Sequence, residues 1–264
     1  MIITFLGTGT SHGVPPIDCM LQGYASCPGG VCRASLDDPL HRRTRSSLLV
    51  EWEGAAVLID IGPDFRAQAL RENIRRIDAV LVTHGHADHI YGIPDIRSYT
   101  LRQPMPFYGS RESMERIRST FPYVFDSAAL QGGGIPRITT AGVEGPFTLF
   151  GKTITPIRVD HLALDGCFGY RIGPVCYIPD MKAIASGELE KCAGTRLLIV
   201  NCLRKGPRHG SHLTLDESIA LARRVAPRQC YFIHMSHDIH YQIDRKTLDP
   251  WMDFSWDGLK VDVD

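Results

Sequence analysis

Six residues constrain this chain more than any others: His84-Gly85-His86-Ala87-Asp88-His89, placed just after the short apolar run Ala79–Val82. The run reads as a buried strand, and Asp88 and His89 stand where a helix would begin. A loop between strand and helix is not committed to one backbone period, so it can turn several side chains into one cavity. Imidazole suits Zn2+, Mn2+ or Fe2+, and a carboxylate suits the harder ions among them. Four donors in six residues exceed what one tetrahedral ion accepts from so short a loop, which points to two adjacent ions. Chance clustering of surface histidines explains neither the spacing nor the strand before it.

The rest of the pattern is rich in strands. Ile2–Leu6 is an apolar run stopped by Gly7-Thr8-Gly9. From Ser11 to Arg45 the chain is rich in Pro, Gly, Cys and charge with no lasting period, too long for a passive connection. Ser46–Glu51 and Ala55–Ile59 flank Glu53-Gly54 and read as a hairpin, and Phe65–Asn73 has helical spacing. Helices are expected at Ile96–Leu101 and Arg111–Ser119 with a strand at Met105–Tyr108, while Thr120–Gly134 is ambiguous. Strand-like runs follow at Thr148–Phe150, Thr153–Val159, Cys167–Ile172, Val175–Ile178, Leu197–Val200 and Tyr231–Ile233. Leu215–Val225 is an amphipathic helix, and Leu259–Val263 alternates like an edge strand. Strands in runs, interrupted by helices in both halves, predict two mixed β-sheets packed face to face with helices outside. No repeat, low-complexity tract or linker interrupts residues 1–264, which read as one domain whose 11–45 loop is ordered by a metal.

Composition narrows the partners. Lys+Arg and Asp+Glu are equal at 29 each, so no global field favours nucleic acid or an anionic membrane. The N-terminus reads as a strand, not a signal peptide, and no apolar run approaches the roughly 20 residues of a membrane span. A cytoplasmic location is expected, where eight cysteines stay reduced and some bind metal.

The segment His84-x-His86-x-Asp88-His89 resembles the signature of the metallo-β-lactamase superfamily. The resemblance implies an αββα sandwich with a dinuclear site at one edge of the two sheets. It also implies three more ligands at strand ends, and His161, Asp180 and His234 each follow a strand-like run. On that reading His84, His86 and His161 hold one Mn2+ or Zn2+ ion. Asp88, His89 and His234 hold the other, and Asp180 bridges. Further segments are similar to a phosphodiesterase subgroup of the carbon–phosphorus lyase pathway: Gly7-Thr8-Gly9-Thr10-Ser11-His12-Gly13-Val14-Pro15, Arg43-Thr44-Arg45-Ser46-Ser47, His234-Met235-Ser236-His237 and Trp256-Asp257-Gly258-Leu259-Lys260. The subgroup implies hydrolysis of a small cyclic phosphodiester, with phosphoribosyl 1,2-cyclic phosphate the best-known substrate, and a homodimer.

The same resemblance makes His212 a general acid for the leaving oxygen; its plainer reading is a residue beside a capping Thr214. Relatives often carry a tight Cys-x-Cys-x-x-Cys cluster that, with a histidine matching His237, closes a structural zinc site. Here the spacing is Cys19-x7-Cys27-x4-Cys32, a departure, yet three thiols and His237 suit Zn2+. Cys167, Cys176, Cys192, Cys202 and Cys230 read as small core residues. Arg43 and Arg45 read equally as phosphate contacts or as a solvated basic run. His12 reads as lining the site or supporting its loop, and His41, His209 and His240 as surface residues. The rival enzyme is a tRNA 3′-end processing endonuclease, which shares these ligands and the His212 position. Zero net charge and the lack of a basic, Gly-rich insertion argue against it. A non-catalytic metal-bound scaffold is the rival of another class, but such a chain would ordinarily have lost a ligand.

Overall fold

The structure, a computed structural model, describes residues 1–126, 134–162 and 164–264. Seven strands build one sheet: β1 (Ile2–Gly7), β2 (Ser47–Trp52), β3 (Ala55–Ile59), β4 (Ala79–Leu81), β5 (Met105–Gly109), β6 (Ile138–Gly142) and, from the far end of the chain, β14 (Lys260–Asp262). The other is built by β7 (Phe147–Leu149), β8 (Lys152–Arg158), β9 (Phe168–Ile172), β10 (Val175–Ile178), β11 (Leu197–Asn201), β12 (Gln229–Ile233) and β13 (Met252–Phe254). The orders are β14-β1-β2-β3-β4-β5-β6 and β13-β12-β11-β10-β9-β8-β7. In each sheet one half pairs antiparallel and the other parallel, from β3 to β6 and from β10 to β13.

The strands bury both faces, and their period of two sorts side chains between two cores. Leu48, Val50, Val57 and Ile59 point to the interior between the sheets, where Ile154, Tyr170, Leu197 and Ile199 of the second sheet meet them. Leu49, Ala56 and Leu58 point outward to Phe65, Met114 and Ile117 of the covering helices. On the opposite flank Leu198 and Val200 pack against Leu221 and Ala222 of helix Leu215–Val225. That helix begins with a reciprocal capping box between Thr214 and Glu217. The layers are therefore helix, sheet, sheet, helix, as the sequence predicts.

Some local expectations need correction. The 11–45 segment is not without elements: short helices cover Ile17–Leu21 and Val31–Ala34, and Val14, Cys19, Val31 and Cys32 form a small buried cluster. The helix expected at Ile96–Leu101 is a 3-10 turn at Ile93–Tyr99, begun by Pro94. Within Thr120–Gly134, a helical turn covers Pro122–Phe125, and 127–133 lie outside the described residues. No described helix is long and apolar enough to cross a membrane.

Candidate metal centre

Strand ends deliver the donors. Beyond β4, Thr83 and His84 leave the sheet, and a short helix at Ala87–Ile90 brings Asp88 and His89 back over the same cavity. Gly85 lets Arg116 pack closely against this turn, since a Cβ there would lie 2.6 Å from Cγ of Arg116. His161 lies past β8, Asp180 past β10, and His234 directly past β12 in a left-handed conformation (φ 60°). For a non-glycine residue that conformation is uncommon, and it turns the imidazole off the strand axis.

These seven side chains meet. Oδ2 of Asp180 lies 3.6 Å from Nε2 of His84, 3.5 Å from Nε2 of His89 and 3.6 Å from Nε2 of His161. Its other oxygen is 3.2 Å from Nε2 of His234. Oδ2 of Asp88 lies 3.3 Å from Nε2 of His89 and 3.7 Å from Nε2 of His234. Three sets, namely His84 with His86 and His161, His84 with His89 and Asp180, and Asp88 with His89 and His234, each hold their donor atoms within 4.8 Å of one another. His212 joins a fourth with His161 and Asp180. Its ring stands 4.8 Å from His161 and 4.7 Å from His234, and its Nδ1 has no partner.

Behind the donors lies a supporting layer that the sequence reading missed. Asp60, fully buried beyond β3, accepts from N and Oγ1 of Thr83 and pairs with Nδ1 of His89, all at 2.8 Å. Nδ1 of His161 donates to the Ser211 carbonyl at 2.9 Å. Such contacts fix which nitrogen of each ring faces the cavity. The clue in the sequence was a lone carboxylate closing the apolar run Ala55–Ile59.

The carboxylates and imidazoles of the cluster shift one another in different directions. Burial alone would raise the Asp180 carboxyl, but His234 and His89 hold it well below the usual carboxylate range. For His89 burial works downward, yet Asp88, Asp60 and Asp180 hold it well above the ordinary histidine value. Burial, reinforced by His89, drives His84 well below it. Burial, then His234, pulls His212 down to about 3. Nε2 of His89, Nε2 of His234 and Oδ1 of Asp180 are buried without a hydrogen-bond partner. Orphaned buried polar atoms are rare, and these all face the same space. Nitrogen and carboxylate donors so arranged fit divalent cations.

A second cluster lies beside the first. Sγ of Cys19, Cys27 and Cys32 lie 3.1, 3.9 and 3.3 Å from Nδ1 of His237. A tetrahedral zinc site with ordinary Zn–S and Zn–N bonds sets sulfur and nitrogen about 3.6 Å apart. The irregular spacing is absorbed by the Pro28–Gly30 turn, and the Cys32 amide donates to Sγ of Cys27 at 3.1 Å. Burial raises the Cys19 and Cys32 thiols.

Other residues fall elsewhere than expected. Arg43 is not solvated: it is 1% exposed and donates to the carbonyls of Ser236 at 2.7 Å and Ile239 at 2.8 Å. It thereby braces the segment carrying both His234 and His237. Arg45 pairs with Asp64 at 3.2 Å. His41 is buried, its Nε2 2.7 Å from Oε1 of Gln242, and its ring 4.4 Å from that of half-buried His240. His209, read as a surface residue, instead lines a cavity with His12 and His212. The five remaining cysteines are buried in or beside strands, as expected.

Comparison with known proteins agrees with this architecture. A family model described as the beta-lactamase superfamily domain matches residues 55–235. A crystal structure described as a new diphosphatase from the PhnP family superposes with a TM-score of 0.87 at 34% identity, covering 100% of this chain and 98% of that one. Zinc-bound PqqB from Methylobacterium extorquens, at 19% identity, has a TM-score of 0.76 over the whole of both chains and shares the fold. An octanoyltransferase of Porphyromonas gingivalis is 34% identical over 261 residues, 98% of this chain but 51% of that protein. Coenzyme PQQ synthesis protein B of Methylobacterium radiotolerans is 32% identical over 139 residues, 49% of this chain and 43% of that one. The chain thus spans about half the length of these curated relatives. The matched family model and the full-length likeness to a PhnP-family structure together show that the chain belongs to the metallo-β-lactamase superfamily.

Proposed function

We propose that this protein is a metal-dependent phosphodiesterase that opens a small cyclic phosphodiester such as phosphoribosyl 1,2-cyclic phosphate. The observation that carries the reading is Asp180, whose one oxygen lies 3.5–3.6 Å from three imidazoles while the other faces His234. A carboxylate within reach of both donor sets supports a role for Asp180 as a ligand that the two sets would share. His84, His86 and His161 would hold one Mn2+ or Zn2+ ion, and Asp88, His89 and His234 the other. When bound, such ions supply Lewis-acid neutralisation of phosphoryl charge and acidification of water. Cys19, Cys27, Cys32 and His237 would hold a structural Zn2+ that orders the 11–45 loop.

The chain's own groups do the rest. Buried donors backed by Asp60 and Ser211 hold their geometry without reorganising. His212 stands at the rim of the cluster beside the cavity and delivers a proton to the departing oxygen. Burial, then His234, keeps its ring neutral in the free protein, so the proton it delivers is taken up with the substrate.

The full-length PhnP-family relative is described as a diphosphatase, and this supports a second reading in which the cleaved bond is a diphosphate linkage. The donor set serves either, since both reactions displace an oxygen from phosphorus. Likeness to ribonuclease Z, 44% identity over 66 residues or 24% of this chain, covers far less of the chain than the PhnP-family structure does. The test is metal-reconstituted protein supplied with ribose 1,2-cyclic phosphate 5-phosphate, a dinucleoside diphosphate and precursor tRNA, with products followed by phosphorus NMR. Ring opening alone supports the first reading. Cleavage of the diphosphate alone replaces it with the second, and cleavage of tRNA alone overturns both.

A further inference from the structure

The loop that carries His212 is pinned at three successive carbonyls. Nδ1 of His161 donates to the Ser211 carbonyl at 2.9 Å, Nζ of Lys182 to the His212 carbonyl at 3.4 Å, and the Leu203 amide to the Leu213 carbonyl at 2.9 Å. The three donors lie beyond β8, β10 and β11, so three strand ends of the second sheet meet at this loop. Nδ1 of His212 has no partner of its own. Its ring is placed by the backbone that carries it and by packing against the rings of His161 and His234.

Lys182 differs from the other two donors in being a long, charged side chain that something else must hold. Glu217 holds it: Nζ lies 2.9 Å from both carboxylate oxygens, and both side chains are half-buried. Glu217 is itself fixed, because its Oε2 also accepts the Thr214 amide at 2.9 Å in the capping box of helix Leu215–Val225. Arg208 is a poorer partner for it, 3.6 Å away on a side chain that is 86% exposed. At its other end Lys182 is anchored by backbone, its amide donating to the carbonyl of Asp160, the residue before His161, at 2.6 Å. Met181, between it and Asp180, is buried. The ion pair therefore ties the chain two residues past Asp180 to the chain two residues past His212. A half-exposed pair adds little to the stability of a fold. What it supplies here is geometry.

We propose that Lys182, held by Glu217, is a positioning residue that sets His212 against the metal cluster. The inference rests on the reading of His212 as the acid for the leaving oxygen and adds the device that aims it. Misplacing a reacting group by about 1 Å can cost about 100-fold in rate, and without the pair only the Ser211 and Leu213 carbonyls keep their donors.

The test compares two diesters on metal-loaded protein. Ribose 1,2-cyclic phosphate 5-phosphate releases an alkoxide that needs a proton, whereas bis(p-nitrophenyl) phosphate releases a phenolate that departs without one. Lys182→Met is expected to keep its metal and lower kcat on the cyclic diester about 10–100-fold with KM little changed, while the aryl ester loses less than about threefold. Lys182→Arg, which can still pair with Glu217, recovers most of the loss. Added to His212→Asn, Lys182→Met costs little more, because both remove one function. Lys191→Met removes a comparable half-buried pair, with Glu188 at 2.6 Å, and leaves both rates unchanged. A native kcat in Lys182→Met, equal losses on the two esters, or losses that multiply with His212→Asn would overturn the proposal. If the native protein cleaves neither ester, the acid reading falls, and amide hydrogen exchange decides the brace on its own. Lys182→Met and Glu217→Gln then speed exchange across residues 210–214 and not across 84–89; unchanged exchange at 210–214 in both variants would remove the positioning role.

Discussion

Asp60→Asn tests whether the metal loop is held by the layer behind it. Oδ1 of Asp60 accepts the Thr83 amide, and Oδ2 serves both the Thr83 hydroxyl and Nδ1 of His89, each at 2.8 Å. Asparagine keeps one acceptor oxygen and replaces the other with an N–H donor. If the amide nitrogen faces Thr83, a buried backbone N–H loses its acceptor, a cost of about 1–3 kcal/mol. If it faces His89, the imidazole must accept at Nδ1, and its proton moves to Nε2, the atom that points at Asp88 and Asp180. A protonated Nε2 cannot bind a cation. Either orientation damages the site, and loss of such support typically costs 10–100-fold in metal affinity, or about 1.4–2.7 kcal/mol. Competition between protein and a chelator of known affinity measures this directly, with urea denaturation of the metal-free variant reporting the stability loss. The variant is expected to lose affinity for the ion assigned to His89 first. Native affinity with native activity in Asp60→Asn would refute the claim that Asp60 sets the His89 tautomer.

Three further perturbations separate the roles of other groups. Asp180→Asn is expected to reduce both metal content and turnover, whereas His212→Asn spares metal and lowers turnover by about 10²–10⁴; elemental analysis with steady-state kinetics distinguishes them, and metal loss in the His212 variant would end its role as acid. Cys32→Ser is expected to lose the zinc assigned to the cysteine cluster and open the Ile17–Ala34 region to limited proteolysis, read by mass spectrometry of the fragments. Arg43→Met leaves the Ile239 carbonyl without its side-chain donor and the Ser236 carbonyl with only the Ile239 amide at 3.4 Å, at a cost of about 1–3 kcal/mol for a carbonyl left unsatisfied; urea midpoints measure it, and an unchanged midpoint would show that the segment needs no brace.

How far the sequence could be read depended on whether a residue's neighbours were close in the chain. The strand before His84, the hairpin at Glu53-Gly54 and the helix Leu215–Val225 declare themselves through local period and turn chemistry. So does the layered architecture, because strands buried on both faces need apolar residues throughout. β6 was missed: Ile-Thr-Thr-Ala-Gly carries one large apolar residue, and its half-exposed place at the sheet edge asks for no more. Asp60, Arg43 and His41 were misread or overlooked for a related reason. Polar side chains ordinarily mark the surface, and what buries these three are partners distant in sequence: Arg43 lies 193 residues from Ser236, and His41 lies 201 from Gln242. His209 belongs to a cavity assembled from four separate segments of the chain, for which no local spacing exists. The His and Asp donors were legible because one short segment set the expectation of more at strand ends, and the structure brings those residues together.

The donors are divided between the two sheets: His84, His86, Asp88 and His89 leave β4, while His161, Asp180 and His234 leave strands of the second layer. Each proposed ligand set therefore mixes early and late parts of the chain, and the last contributor, His234, follows β12. During synthesis a nascent chain displays the His84–His89 segment long before its counterparts exist, offering a passing ion only a weak partial grip. Full capture waits until the second layer is made and seated on the first. Ion uptake would then mark the end of assembly, and a chain stalled or truncated before residue 234 would carry no working hydrolytic centre into the cell.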